Sequence, residues 1–275
     1  MKKVALTAIV LAKNEAEMLP ACLSCLNWCQ EIVVIDTGSQ DKTSEIAENF
    51  GAKVIAFQHS SFARLREEGL KRTQTPWIFY VDADERVTPV LAQEIITELE
   101  KNRAAALQLK RENVFYGQTM KAGGWQTDEV TRIFKRDNLK SWQGEIHESP
   151  VFTGEALLLQ SPLVHLTHRS TAEGLIKSSR WTPIEAKLLF EAGAAPVGFG
   201  TLIKKGLGEF VRRAITNRGY RDGQTGLVEA LIQAINRILV YVQVWELQHQ
   251  PKIKDLYQVK EREIELLWED DRKRS

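Results

Sequence analysis

The chain has 275 residues, of which 43% are apolar and 27% are charged. These proportions are typical of a folded globular protein and exclude a disordered one. Lys and Arg number 37 and Asp and Glu number 36, so the net charge is +1. A dedicated nucleic-acid-binding protein usually carries a clear basic excess, so this balance argues against one.

The first third alternates short apolar runs with segments of helical spacing. Such alternation predicts an α/β fold, in which a mostly parallel sheet is covered by helices. The start, Met1-Lys2-Lys3 and an apolar run, imitates a signal peptide but lacks a cleavage site directly after it, so we interpret it as a buried strand. The predicted strands are Ala5–Ala12, Glu31–Asp36, Lys53–Phe57 and Trp77–Asp82, and the predicted helices are Glu17–Trp28, Lys42–Phe50, Phe62–Arg72 and Val87–Glu100.

Three cysteines, Cys22, Cys25 and Cys29, lie close together in and just after the first predicted helix. Their spacing predicts that all three share one face of that helix. A metal site there lacks a fourth nearby ligand, so a buried apolar face with reduced thiols is the better interpretation.

The middle of the chain is less regular, and the last third is helical. Predicted strands at Ala105–Lys110, Val130–Arg136 and Leu163–Thr167 are separated by glycine-containing loops. Helices follow at Glu173–Ala192, where Pro183 predicts a kink or a break, around residues 199–215, and at Gly226–Leu247. We expect two domains, 1–170 and 171–275. No run of about 20 uninterrupted apolar residues occurs, so we predict no membrane span.

The basic residues are unevenly distributed. Residues 177–221 contain nine Lys or Arg and three Glu, a local charge of +6 in a chain of +1. This segment is either a solvated helical face or a surface that meets anionic lipid or phosphate.

Polar side chains follow three of the predicted strands, where an open α/β sheet binds its ligands. Asp82 and Asp84 come directly after an apolar strand, and two carboxylates spaced in this way can address one divalent cation on a diphosphate. Asp36 ends another strand and can accept from a base imide or a ribose hydroxyl, or cap the next helix. Asn14 and Glu15 follow the first strand.

Histidines are the other candidates in the middle region. His147-Glu148 is followed by His165 and His168, and a histidine near carboxylates is a metal ligand or an acid–base group. The pair is not part of a zincin motif, since Val151 stands where the second His would be, and neither a P-loop nor a nucleophile elbow occurs.

Several of these segments together resemble the family 2 glycosyltransferases, which have the GT-A fold. The similarity is to the branch of lipopolysaccharide-core β-glucosyltransferases and runs from about residue 5 to residue 250. It is carried by the segments 8–15, 31–39, 41–43 and 81–87, then 131–136 (TRIFKR), 146–148 (IHE), 218–223 (RGYRDG) and 226–227.

The resemblance implies transfer of a hexose, with glucose the first choice, from a nucleotide sugar, with UDP the first choice, and inversion at the anomeric carbon. Asn14, Glu15, Asp36 and Arg66 would bind the donor together with Asp82 and Asp84. It implies Mg²⁺ or Mn²⁺ held by Asp82 and Asp84, with His147 or His168 completing the metal shell.

An inverting displacement needs one base to deprotonate the acceptor. Glu148 is our first choice for that base and Asp128 is the second. The resemblance also implies a glycan or lipid-linked acceptor, lipopolysaccharide biosynthesis and a cytoplasmic enzyme that is peripheral on the inner face of the plasma membrane. The alternatives are a nucleotidylyltransferase and a non-catalytic scaffold that binds a membrane or a partner.

Overall fold

The computed structural model describes residues 3–59, 61–126, 128–144 and 148–274. The chain forms two compact units, Met1–Thr171 and Ala172–Ser275. The first unit is an α/β layer structure, and the second is helical.

The first unit contains twelve strands and four helices in its described residues. The strands are β1 (Val4–Ala12), β2 (Cys29–Asp36), β3 (Lys53–Ala56), β4 (Trp77–Asp82), β5 (Glu85–Arg86), β6 (Ala106–Phe115), β7 (Gln118–Thr119), β8 (Glu129–Lys135), β9 (Leu139–Gln143), β10 (Ser149–Phe152), β11 (Ala156–Leu158) and β12 (Leu163–Leu166). The helices are α1 (Leu19–Ser24), α2 (Thr43–Asn49), α3 (Phe62–Lys71) and α4 (Pro89–Lys101).

Ten of these strands form one mixed, mostly parallel sheet in the order β3-β2-β1-β4-β8-β6-β12-β5, with β7 and β11 also paired to β6. Residues 6–12 of β1 are buried on both faces, as its continuous apolar run requires of a central strand. β2 and β4 flank β1 in parallel, whereas β8 runs antiparallel to both β4 and β6. The predicted fold class is therefore confirmed: an α/β sheet with flanking helices, followed by a helical C-terminal region.

The first helix is shorter than the sequence predicts. Pro20 lies in its first turn, where proline is tolerated, and the helix ends at Ser24. Cys22 is therefore helical, Cys25 caps the helix and Cys29 begins β2, so the expectation of one shared helix face is wrong. Cys22 and Cys29 are buried, and burial raises the pKa of both thiols, as expected of reduced core cysteines.

The middle segment brings distant residues together through β6. β12 pairs with β6 in parallel, and its other edge pairs with β5, the two-residue strand that follows the Asp82-Ala83-Asp84 turn. The register sets His165 opposite Asn113 on one side and Glu85 on the other. This pairing places His165 near the carboxyl end of β4.

The second unit contains α5 (Thr171–Glu191, starting at the unit boundary), α6 (Phe199–Val211), α7 (Gly223–Gln248) and α8 (Ile253–Arg274). Pro183 lies inside α5, and the helix continues through it. Within the described residues, one helical segment, 219–248, is long and apolar enough to cross a membrane by length and composition alone, and less than a third of its apolar window is buried. The expectation that no segment spans a membrane stays a prediction.

Candidate functional site

The carboxyl ends of β1, β2 and β4 form one edge of the sheet. In the register, Ala12 of β1 is level with Asp36 of β2, and Leu11 is level with Asp82 of β4. The two aspartates are therefore separated by two strand spacings, or about 10 Å between backbones. The polar residues that follow these strands accordingly belong to a single rim.

Asp36 organises the turn after β2. Its Oδ1 accepts the backbone N–H groups of Gly38 (3.0 Å) and Ser39 (2.8 Å), and its Oδ2 accepts the hydroxyl of Ser44. Burial acts to raise the pKa of Asp36, but these hydrogen bonds outweigh it and hold the pKa below its usual range. The carboxylate is therefore fixed in place by the residues of its own turn.

Asn14 and Glu15 join the turn after β1 to the turn after β2. Asn14 adopts a left-handed conformation (φ 56°), and its Oδ1 accepts the N–H of Gln40 at 2.7 Å. The backbone N–H groups of Asn14 and Glu15 donate to Ser39 (2.9 Å) and Thr43 (2.8 Å). The two turns therefore form one cross-linked surface beside Asp36.

Asp82 ends β4 between two arginines. Its Oδ2 lies 2.5 Å from Nη2 of Arg132, and its Oδ1 lies 3.4 Å from Nη2 of Arg66. Burial acts to raise the pKa of Asp82, but the charges of Arg132 and Arg66 outweigh it and lower the pKa to about 2. Asp82 is therefore a permanently ionised group whose charge is already balanced by the protein.

Glu85 is a buried carboxylate that contacts both Asp82 and Arg132. Its side chain is fully buried, and its Oε2 accepts the backbone N–H of Asp82 at 2.9 Å. Its Oε1 lies 3.3 Å from Arg132 and 3.6 Å from Arg111. Burial raises the pKa of Glu85, although the charge of Arg132 opposes the shift. Glu85 was not among the sequence candidates, because a single acidic residue after a D-x-D pattern carries no signal of burial.

Arg66 is only 2% exposed and links two carboxylates. Its Nη2 donates to Oε1 of Glu148 at 3.0 Å as well as facing Asp82, and its guanidinium lies 4.9 Å from the ring centroid of Trp142. The resemblance implies that Arg66 contacts the donor, and this stays a prediction. In the structure, its guanidinium is buried against Glu148 and Asp82, where two acidic partners and an aromatic ring enclose it.

Asp128 accepts hydrogen bonds from two residues of β6. Nε and Nη2 of Arg111 donate to its two oxygens at 2.9 and 3.0 Å, and Nδ2 of Asn113 donates to Oδ2 at 3.0 Å. Burial acts to raise the pKa of Asp128, but these contacts outweigh it and lower the pKa. A general base works best with a pKa near the working pH, so this geometry does not favour Asp128 as the base.

Asn113 also fixes the tautomer of His165. Because its Nδ2 donates to Asp128, its Oδ1 is the acceptor that lies 2.7 Å from Nδ1 of His165. Nδ1 must therefore carry a proton, and in the neutral ring the lone pair is on Nε2. Nε2 lies 3.4 Å from Oδ2 of Asp84, longer than the 2.7–2.9 Å of a charge-assisted hydrogen bond. In the neutral form of the ring, Nε2 and Oδ2 of Asp84 are therefore two electron-pair donors that face each other.

The histidines predicted from the sequence as metal ligands are not the one that the structure sets beside Asp84. His147 lies outside the described residues. His168 has a left-handed backbone (φ 45°) and packs its ring against Phe115, with centroids 4.6 Å apart. His165 takes the place beside Asp84 because β12 pairs with both β5 and β6, a register that no local pattern in the sequence reveals.

The donor set at Asp84 and His165 fits a divalent cation. Within the described residues, no three His, Cys, Asp or Glu side chains are placed to hold a metal, so Asp84 and His165 would be two ligands and not a closed cage. A cation such as Mg²⁺ is commonly bound by one or two carboxylates, with phosphate oxygens filling other positions. Four more carboxylates belong to the neighbouring network, where they pair with Arg66, Arg111 and Arg132: Asp82, Glu85, Asp128 and Glu148.

Comparisons with known proteins find relatives over most of this chain. The lipopolysaccharide core biosynthesis glycosyltransferase LpsC of Rhizobium meliloti (strain 1021) is 24% identical over 265 residues, covering 92% of this chain and 97% of LpsC. An uncharacterized glycosyltransferase of Rickettsia prowazekii (strain Madrid E) is 26% identical over 253 residues, covering 87% of this chain and 85% of the relative.

Similar solved structures include S. aureus TarS 1-349 in complex with UDP-GlcNAc, with a TM-score of 0.44, 13% identity and 90% of each chain covered. Another is glucosyl-3-phosphoglycerate synthase from Mycobacterium tuberculosis with Mn²⁺, UDP and glucosyl-3-phosphoglycerate, with a TM-score of 0.46, 16% identity, and 70% of this chain and 81% of that chain covered. The profile of the family described as Glycosyl transferase family 2 matches residues 7–162, more than half of this chain. The chain therefore belongs to glycosyl transferase family 2 and is a glycosyltransferase.

Proposed function

We propose that this glycosyltransferase transfers a hexose from a nucleoside diphosphate sugar to a glycan acceptor of the lipopolysaccharide type. Glucose and UDP are our first choices for the sugar and the nucleotide. The acceptor class is supported by the full-length similarity to LpsC. The observation that carries the donor class is the pair of Asp84 and His165, in which a carboxylate oxygen and Nε2 of the imidazole lie 3.4 Å apart at the carboxyl end of β4.

Asp84 and His165 would hold Mg²⁺ or Mn²⁺, and the bound cation would neutralise charge on the departing diphosphate. In this proposal His165 is the histidine ligand, in place of the predicted His147 or His168. Asp82 is not a direct metal ligand, because Arg132 and Arg66 already contact both of its oxygens.

The donor's nucleoside would lie along the rim formed by Asp36, Asn14 and Glu15. The ionised carboxylate of Asp36 would accept from a base N–H or a ribose hydroxyl, and the cross-linked turns hold it in place. Arg66 acts indirectly, by fixing Glu148 and Asp82.

Glu148 would be the general base. In an inverting displacement, the acceptor oxygen forms the new bond to the anomeric carbon, the bond to the diphosphate breaks, and the carboxylate takes the hydroxyl proton. Arg66 orients Glu148 through Nε (3.2 Å) and Nη2 (3.0 Å). The enzyme would work in the cytoplasm, on the inner face of the plasma membrane.

Calorimetric titration with UDP in the presence of Mn²⁺ tests the donor site. We expect heat of binding for the wild type, and loss of the Mn²⁺-dependent part in Asp84→Asn and His165→Ala. Asp137→Asn, which removes an exposed carboxylate after β8, is the matched control and should bind normally. No heat in the wild type, or equal binding with and without Mn²⁺, would contradict the proposal.

Transfer assays test the base. Glu148→Gln should abolish transfer and leave UDP binding intact. If Glu148→Gln is fully active and Asp128→Asn is inactive, Asp128 is the base instead. Hydrolysis of a panel of UDP-, GDP- and TDP-linked sugars identifies the donor.

A further inference from the structure

α6 and α7 form a tightly packed helical hairpin. A turn of π-helix at 212–216 and a 3₁₀ turn at 219–222 join the two helices. A Cβ added at Gly206 of α6 would lie 2.6 Å from the side chain of Ile238 in α7, and one added at Gly226 would lie 2.0 Å from the carbonyl oxygen of Gly219. Glycine at 206 therefore lets the two helices approach closely, and glycine at 226 lets the connecting turn pack against the start of α7.

Both helices of the hairpin carry a row of exposed apolar side chains. Residues four apart lie on one side of a helix, so each row forms a continuous ridge. Phe199 and Leu207 are 79% and 61% exposed, far more than core residues. The ridge of α6 and the following turn contains Phe199, Ile203, Leu207, Val211 and Ile215, and the ridge of α7 contains Leu227, Leu231, Ile235 and Leu239.

The two ridges lie on the same side of the hairpin. Gly206 and Ala234 meet at the contact between the helices, where the Cβ position of Gly206 lies 3.7 Å from the carbonyl oxygen of Ala234. Leu207 and Ile235 each come one residue later. Because the helices run antiparallel, this equal offset turns both side chains to the same side. We call the two ridges together the hairpin face.

The hairpin is positively charged along α6 and the two turns that follow it. Residues 199–222 contain six basic residues and two acidic ones, Glu209 and Asp222. Both acidic side chains are buried, and Glu209 binds Arg212 and Arg213 at 2.5 and 2.7 Å. Lys204 and Arg221 are exposed. The charge presented to solvent over these residues is therefore positive.

We propose that the hairpin face docks on an anionic lipid bilayer. Its apolar ridges would enter the boundary between head groups and acyl chains, and the basic residues would contact anionic head groups. A second copy of the chain is a poorer occupant, since a symmetric contact would bring two positively charged hairpins together. Docking needs no sugar donor, so it goes beyond the proposed transfer reaction and can fail independently of it.

Flotation of the full chain with phosphatidylcholine vesicles, with and without phosphatidylglycerol, tests the proposal. We expect the wild type to float with the anionic vesicles and to bind more weakly at higher salt. Lys204→Gln/Arg221→Gln should lower the partition by about thirtyfold, from the loss of two basic residues near the surface. Ile203→Gln/Leu207→Gln should lower it by roughly tenfold or more, since both side chains are exposed apolar anchors.

The matched control is Val90→Gln in α4, which removes an apolar side chain that is 70% exposed in the first unit. It should float like the wild type. Flotation that is absent, indifferent to phosphatidylglycerol or unchanged in both double variants would overturn the proposal. So would light scattering that shows a wild-type dimer converted to a monomer by Ile203→Gln/Leu207→Gln with vesicle binding unchanged.

Discussion

The two aspartates of the Asp82-Ala83-Asp84 turn are expected to contribute to different properties. Asp82 lies between Arg132 and Arg66 and caps a buried cluster, whereas Asp84 lies at the rim beside His165. We therefore expect Asp82→Asn to destabilise the fold, and Asp84→Asn to leave stability largely unchanged while weakening Mn²⁺-dependent UDP binding.

The magnitude follows from the pKa of Asp82, which lies at about 2 instead of the ordinary 3.8. Since one pKa unit corresponds to about 1.4 kcal/mol, the ionised carboxylate stabilises the folded state relative to the unfolded state by about 2 kcal/mol at neutral pH. Asp82→Asn also removes one of the two carboxylates that balance the positive charge of Arg132. We therefore expect a loss of about 2 to 3 kcal/mol in the free energy of unfolding. Asp84→Asn should cost about 1 kcal/mol or less.

The stabilisation by Asp82 also has a defined pH dependence. A carboxyl group whose pKa is lowered by folding stabilises the protein above its unfolded pKa, and the contribution is lost as the pH falls through the folded value. The stability difference between wild type and Asp82→Asn should therefore be constant above about pH 5 and shrink as the pH falls from about 4 towards 2.

Urea-dependent hydrogen exchange of peptides from β1 and β4 measures this stability within the first unit. Asp137→Asn serves as the exposed control and should match the wild type. The reasoning is refuted if Asp84→Asn costs as much as Asp82→Asn, or if the cost of Asp82→Asn does not decrease in acid.

Four other substitutions test three separate parts of the structure. Gly226→Ala should destabilise the hairpin by several kcal/mol, since its Cβ would meet backbone, whereas Gly208→Ala, which has open space, should stabilise it by roughly 1 kcal/mol in thermal unfolding. Asp36→Asn should lower stability more at pH 7 than at pH 3, because its lowered pKa makes the ionised form the stabilising one. Asn113→Leu should weaken Mn²⁺ affinity by about ten- to a hundredfold in calorimetry, with UDP binding without metal unchanged, because His165 loses the partner of Nδ1.

The strands of the site could be predicted because their signal is local. Trp77–Asp82 is an uninterrupted apolar run that ends in a carboxylate, and its observed bounds are those predicted. Helix ends were predicted less well where a proline shifted them, as at Pro20. β6 extends five residues beyond its predicted end at Lys110, because its polar residues Arg111 and Asn113 face partners that only the fold supplies.

The side-chain partners in the site could not be predicted. Four of these residues, His165, Asn113, Arg111 and Arg132, come from three strands, β12, β6 and β8, and nothing in their local sequence distinguishes them from surface residues. Their proximity depends on the pairing of β12 with β5 and β6, which is a long-range register. Likewise, the burial of Arg66 against Glu148 joins residues 82 positions apart.

The arginines explain how one short acidic motif can serve both the fold and the site. Arg132 and Arg66 hold Asp82, and Arg111 holds Asp128, so these carboxylates are ionised but already compensated. A cation that enters the cluster would meet Asp84, which lies beside Nε2 of His165. Arginine keeps its proton when it is buried, whereas a buried lysine loses its proton more readily, so replacing Arg132 with lysine should not preserve the arrangement.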